Sequence, residues 1–316
     1  MRTSEIIRTA WRIVNHTKGL LWFGVVPAIF TTIFGVGYIF YQFLAFESSP
    51  FFGNKHFDFS QISGIVLDFA GAHHFVVVLF VGTIVVGAIA YFILPPFCES
   101  AIIGLVAAIF GKKDVRASDG VTIGAQHFLK MFELQMLVST FSLFEFLTIG
   151  SSTVRKLGTP AWLFILLGFL FFVSLILSFL FIYAQNFLVL KSRESTENSS
   201  DNDRGLIWAL MSSAKLVIAN FHKTLSMWFL MFLISIRVVI NVILIFFIPA
   251  LVVFLANFFV STIALSIGIS LAILVGIIVL GLAAYLAGVL RIFTTAAWTL
   301  TFLTIDHNRT EKLLEK

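Results

Sequence analysis

VVINVILIFFIPALVVFLANFFVSTIALSIGISLAILVGIIVLGLAAYLAGVL, residues 238–290, lies between Arg237 and Arg291 and contains no side chain that ionises at neutral pH. A helix crosses the hydrocarbon core of a bilayer in about 20 residues. The stretch is therefore too long for one crossing and suits two, with a turn expected at 256–261, around Asn257. This reading puts a fifth helix at 225–255 and a sixth at 262–290.

Working outward, further uncharged runs of spanning length occur at 20–46, 75–98 and 160–190. A third span at 131–150 contains Glu133 and Glu145 and is kept because the charge distribution calls for it. The composition agrees with lipid as solvent: 59% hydrophobic residues, 12% charged and a mean hydropathy of +1.02, against about 25% charged in a soluble chain. The expected fold class is thus an all-α integral membrane protein with six transmembrane helices and interfacial amphipathic helices, forming a single domain over residues 1–316.

With six spans and the N-terminus inside, the basic residues divide unevenly. Arg2, Arg8, Arg12 and Lys18 precede the first span; Lys112, Lys113, Arg116 and Lys130 lie between the second and third. Lys191, Arg193, Arg204, Lys215 and Lys223 lie between the fourth and fifth, and Arg291, Arg309, Lys312 and Lys316 follow the sixth. Only Lys55, Arg155 and Lys156 fall outside, a bias that matches the positive-inside rule. Both ends are expected in the cytoplasm, in a cytoplasmic (inner) membrane. The +5 net charge follows these segment ends rather than one patch, which argues against a nucleic-acid partner. The lone cysteine, Cys98, excludes an intrachain disulfide.

Three approaches to spans share a helical apolar face: Ile6, Ile7, Ala10, Trp11 and Val14; Val121, Ala125, Phe128, Leu129 and Phe132; Leu206, Leu210, Ala214, Val217 and Phe221. The run from His16 to Phe23 echoes that from His222 to Phe229. The chain reads as three units of interfacial helix plus hairpin, 1–111, 112–190 and 204–300, with a polar mobile loop at 191–203. The competing explanation is that Lys, His and Trp gather at any membrane interface. Residues 100–111, apolar but short, read as a kinked continuation of the second span or an interfacial helix.

Arg237 is the costliest residue, about 2.5–3.5 kcal/mol at mid-span, so it is expected to face the bundle and find a partner. Asn241 lies one turn away, and Glu145 sits at comparable depth in the third span. A Glu145–Arg237 pair is expected, either as a clamp between hairpins or as part of a path. Glu99, Glu133 and Arg291 fall near the cytoplasmic interface, as snorkelling charges or as brackets for a lipid headgroup. His56, Asp58, Asp68, His73 and His74 have metal-compatible side chains but no helical His-x-x-x-His spacing, so no metal is assigned. Gly281-x-x-Ala284-x-x-x-Gly288, with Gly276, Gly82 and Gly87, offers small-residue faces for helix packing, within the chain, with a membrane-protein partner or with a second copy.

The Trp11 helix followed by Lys18-Gly19-Leu20-Leu21-Trp22-Phe23-Gly24 resembles a group of bacterial six-span membrane proteins of unknown function. It is also similar to the membrane domain attached to some glycerophosphodiester phosphodiesterases. No stretch here corresponds to that family's catalytic barrel, so the resemblance implies architecture and not hydrolysis. No phosphate loop, dinucleotide fingerprint, nucleophile elbow or His-Glu-x-x-His helix is present. The expectation is a non-enzymatic multipass protein with a scaffold, lipid-interacting or membrane-organising role and no cofactor. The alternative is a transporter or channel for a small solute or lipid, with a polar path at Arg237, Asn241 and Glu145.

Overall fold

The structure, a computed structural model, describes residues 3–47, 74–111, 115–139, 161–191, 205–236 and 262–314. Among these it is almost entirely helical and contains no strand. Long apolar runs can pair their own N–H and C=O groups without water only as helices or closed barrels, and here they are helices. In chain order these are α1 (Thr3–His16), α2 (Lys18–Glu47), α3 (His74–Phe110), α4 (Ala117–Ser139) and α5 (Ala161–Leu180). They are followed by α6 (Leu206–Ala219), α7 (Phe221–Ile236) and α8 (Thr262–Leu314). After α5 the chain turns at residues 181–183, then continues as a short α turn, Ala184–Asn186, and a π turn, Phe187–Lys191.

Four segments are long and apolar enough to cross a membrane: Lys18–Tyr38, Val81–Phe110, Ile165–Lys191 and Leu274–Asp306. Helices α6 and α7 meet at 98° and make a fifth if taken as one broken span. The count of six turns on residues 140–160 and 237–261, which lie outside the described residues, as do the connections 48–73 and 192–204.

One feature differs from the sequence reading and another decides between its alternatives. α8 does not stop at residue 290 but continues to Leu314, giving 53 residues, or roughly 80 Å at 1.5 Å per residue. No Gly or Pro follows Gly288 in it, and Ile292, Phe293, Leu300 and Phe302 are buried, so packing extends the helix past Arg291. α3 runs unbroken through Pro95-Pro96 to Phe110, so of the two readings of residues 100–111 the continuation of the second apolar run is the one observed.

Burial is concentrated at one end of these helices. The N-terminal parts of α2 and α7 and the C-terminal parts of α3, the α5 segment and α8 converge there, wrapped by α1, α4 and α6. One cluster joins Ile6, Ala10, Leu20, Phe23, Ala101, Met227 and Ile292; the other joins Ile103, Met131, Tyr183, Leu216 and Phe302. Trp298 touches both. Away from this hub the side chains face outward, as Val78, Ile165, Phe169 and Ile277 do.

The amphipathic helices turn different faces to the hub than spacing alone implies. α1 buries Ile6, Ala10, Ile13 and Val14 and exposes Arg8, Arg12 and Asn15, as expected. In α4 the row Val121, Ala125, Leu129 is exposed, while Gly120 and Gly124 turn inward. The reason is close approach: a Cβ on Gly124 would lie 3.0 Å from the Phe97 carbonyl oxygen. In α6 the inward face is Ala209, Ser213, Leu216 and Val217, rotated because the Ser213 hydroxyl serves the broken end of α5.

Small residues set the main helix crossing. A Cβ on Gly288 would stand 2.7 Å from Val25 Cα, and one on Gly24 would stand 2.6 Å from the Gly288 carbonyl oxygen. Of the small-residue face in α8, Gly288 and buried Ala284 therefore pack within the chain, whereas Gly276 and Gly281 have open space around them. Gly82 is also open, and Gly87 meets only the Phe34 ring. Gly288→Ala is expected to lower the thermal midpoint of the detergent-solubilised chain, by the equivalent of about 1–3 kcal/mol for overpacking against backbone. Gly281→Ala should leave the midpoint unchanged or slightly raised. Equal effects at the two sites would contradict this packing.

Candidate functional site

Where the returning helices meet, α3 brings Glu99 one turn beyond Pro95-Pro96 and α8 brings Arg291 to the same level. Arg291 Nη2 donates to Glu99 Oε2 at 3.0 Å and lies 3.4 Å from the Pro95 carbonyl oxygen. Gln135 Nε2, from α4, donates to the same carboxylate oxygen at 2.6 Å. The Arg291 and Glu99 side chains are 24% and 16% exposed. Removing an ion from water costs several kcal/mol unless a counter-ion and hydrogen bonds replace the hydration. The arrangement supplies both, and it ties three helices to a single oxygen.

A cavity of about 210 Å³ adjoins the pair. Glu99, Ser178, Gln185, Asn186, Thr294 and Thr295 supply its polar wall; Ile103, Phe181, Ile182 and Trp298 supply much of the apolar one. Asn186 is held in place: the Thr299 hydroxyl is 2.9 Å from Asn186 Oδ1 and 2.8 Å from the Thr295 carbonyl oxygen. These polar groups arrive on three separate segments that all run back into the hub, which is why no local motif announces them.

Three further polar ties hold the segment that follows α5. The break after α5 frees backbone groups that a helix would pair. Ser213 meets them, its hydroxyl donating to the Leu180 carbonyl at 2.7 Å and accepting from the Tyr183 N–H at 3.1 Å. Such side-chain rescue is how broken helices persist away from water. Tyr183 is fully buried, its hydroxyl 3.3 Å from Thr224 Oγ1 and its ring edge-on to Trp298. At the outer end, Lys191 Nζ pairs with Asp306 Oδ1 at 2.8 Å and lies over the Phe187 ring.

Of the residues singled out from sequence, Glu99 and Arg291 are brought together. Glu133 is not: it is exposed on α4, two residues and so about 200° around the helix from Gln135. Glu145, Arg237 and Asn241 lie outside the described residues, and with them the expected Glu145–Arg237 pair. Among the described residues no three His, Cys, Asp or Glu gather as metal ligands. Of the outer His and Asp cluster, only His74 is described, at the start of α3. Gln135, Asn186, Ser213 and Thr299 were not anticipated; their signal is a lone polar residue in an apolar helix, which marks position but not partner.

Comparison with family models, with curated proteins and with solved structures gives no match for this chain.

Glu99→Gln and Arg291→Gln are each expected to destabilise the chain by about 2–4 kcal/mol, because each strands the other charge away from water. In a double-mutant cycle read by thermal unfolding in detergent, the double variant should recover part of the loss. Strict additivity would mean that the two side chains do not interact.

Proposed function

We propose that this chain is a multipass protein of a bacterial-type cytoplasmic membrane, crossing six times with both ends on the cytoplasmic side, and that it acts as a non-enzymatic, lipid-interacting scaffold. The observation that carries the reading is the separation of two surfaces. The helix stretches beyond the hub expose Val, Ile, Leu and Phe, and residues 19–46, 75–98, 161–180, 224–236 and 262–290 include no charged residue. Arg8, Arg12, Lys18, Arg116, Lys130, Lys191, Lys215, Lys223 and Arg291 all lie on segments that build the hub. Apolar flanks in lipid and a basic hub at the cytoplasmic surface satisfy both sets of side chains.

Direction of travel supports the even count. α2 and α7 leave the hub and α3, the α5 segment and α8 return to it, an alternation that agrees with the outward third span read from the sequence at 131–150. This plan also fits the resemblance to bacterial six-span proteins. A tight crossing at Gly24 and Gly288 and a hub tied by ion pairs suit a body that holds its shape.

A second reading, transport of a small solute, is favoured by the polar cavity beside Glu99. In that case Arg237, Asn241 and Glu145 would continue the path into the membrane. Liposomes containing the full chain, tested with potassium, chloride and glycerol, separate the two. The scaffold reading expects fluxes equal to those of protein-free liposomes. A flux abolished by Arg237→Leu but kept in Lys55→Leu would replace it with a transporter. A chain that stayed monodisperse in buffer without detergent would overturn both.

A further inference from the structure

We infer that the groove between α1, α7 and α8 is a binding site for one anionic phospholipid. The proposal rests on the membrane reading above and gives it a defined ligand. The groove has a volume of about 330 Å³ and an almost wholly apolar wall. Ile7 and Trp11 of α1 form one side, Ile234 of α7 the second, and Leu286, Leu290 and Phe293 of α8 the floor. Trp11 is 50% exposed although its ring packs edge-on against Phe293 at 5.9 Å, so it forms a lip rather than part of the core.

The groove has a direction. Leu286 lies on the span side of α8, outside the hub cluster, whereas Ile7, Ile234, Leu290 and Phe293 belong to the hub cluster or pack against it. At that second end α1 carries a basic row beside the apolar one. Arg8 follows Ile7 and Arg12 follows Trp11, one turn apart, and both are exposed. Neither forms an ion pair among the described residues, and Glu5 is the only carboxylate on the helix. An apolar trough that runs from the span toward a pair of cations matches an acyl chain followed by a phosphate. Guanidinium groups suit that phosphate, since their fork donates two hydrogen bonds to its oxygens.

A neutral lipid would gain the trough but not the cations. A protein helix lying there would meet a channel whose floor spans only residues 286–293 of α8, about 10 Å by helix rise. An acyl segment lies along that length without any backbone to satisfy.

Native mass spectrometry of the detergent-purified full chain tests this with phosphatidylglycerol and phosphatidylcholine of identical chains. The wild type should retain one phosphatidylglycerol with a preference of at least about tenfold, given two juxtamembrane arginines. Arg8→Gln with Arg12→Gln should bring phosphatidylglycerol down to the phosphatidylcholine level without changing the melting profile, since both side chains are exposed. Leu286→Trp, which fills the trough, should reduce retention of both lipids. Equal retention of the two lipids by the wild type, or a preference that survives loss of both arginines, would overturn the site. So would a dimer that Leu286→Trp disrupts, because a second copy would then be the occupant. A chain that needs no detergent would instead remove the membrane reading itself, which separates the two failures.

Discussion

Two opposite charges, 192 positions apart in sequence, stand 3.0 Å apart where the second span and the last helix return to the hub. Everything packed at that end depends on their meeting. Glu99 fixes how far α3 runs past Pro95-Pro96, Arg291 fixes the height of α8, and Gln135 adds α4 to the same oxygen. In surroundings poor in water an unpartnered guanidinium or carboxylate is costly, so register slips in any of the three helices are strongly disfavoured.

Packing supplies the remaining cohesion, and it is of the kind that suits helices apolar enough to cross a membrane. Lipid tails are as apolar as Leu, so apolar burial alone gives little reason for helices to associate. Close backbone approach does, and Gly24, Gly124 and Gly288 provide it, while Gly120 leaves room for the Leu105 and Phe23 side chains. Alanines at the centre of the hub, Ala10, Ala101, Ala296 and Ala297, are fully buried for the same reason. Larger side chains seal the polar ties: Trp298 borders both clusters, and Tyr183 lies between Trp298 and Phe302. The hub is therefore a joint of small residues and paired polar groups, from which apolar helices extend.

Much of this was legible in the residues, and the limits have physical causes. Uncharged runs mark helices because a charge is expensive in lipid, so the apolar parts of α2, α3, α5 and α8 could be read directly, though not the length of α8 beyond residue 290. The face of α1 followed from its spacing because its inward contacts are purely apolar. The faces of α4 and α6 did not, since Gly124 and Ser213 turn inward through a close approach and a backbone rescue that hydropathy does not weigh. Arg291 stood out as the first charge after a long uncharged run, but it does not mark the end of the helix. Its pairing with Glu99 was invisible, because snorkelling and pairing look alike in one dimension.

Cys98 reports on this joint directly. It is the chain's lone cysteine, 4% exposed, and it adjoins Glu99 within the buried cluster. Maleimide labelling of the full chain in membrane vesicles should be slow in the wild type and complete only after denaturation, because access requires the hub to open. In Arg291→Gln the rate should rise by roughly tenfold or more, as expected for a loss of about 2 kcal/mol. Rapid labelling of the wild type, or an unchanged rate in the variant, would contradict a hub held closed by the Glu99–Arg291 pair.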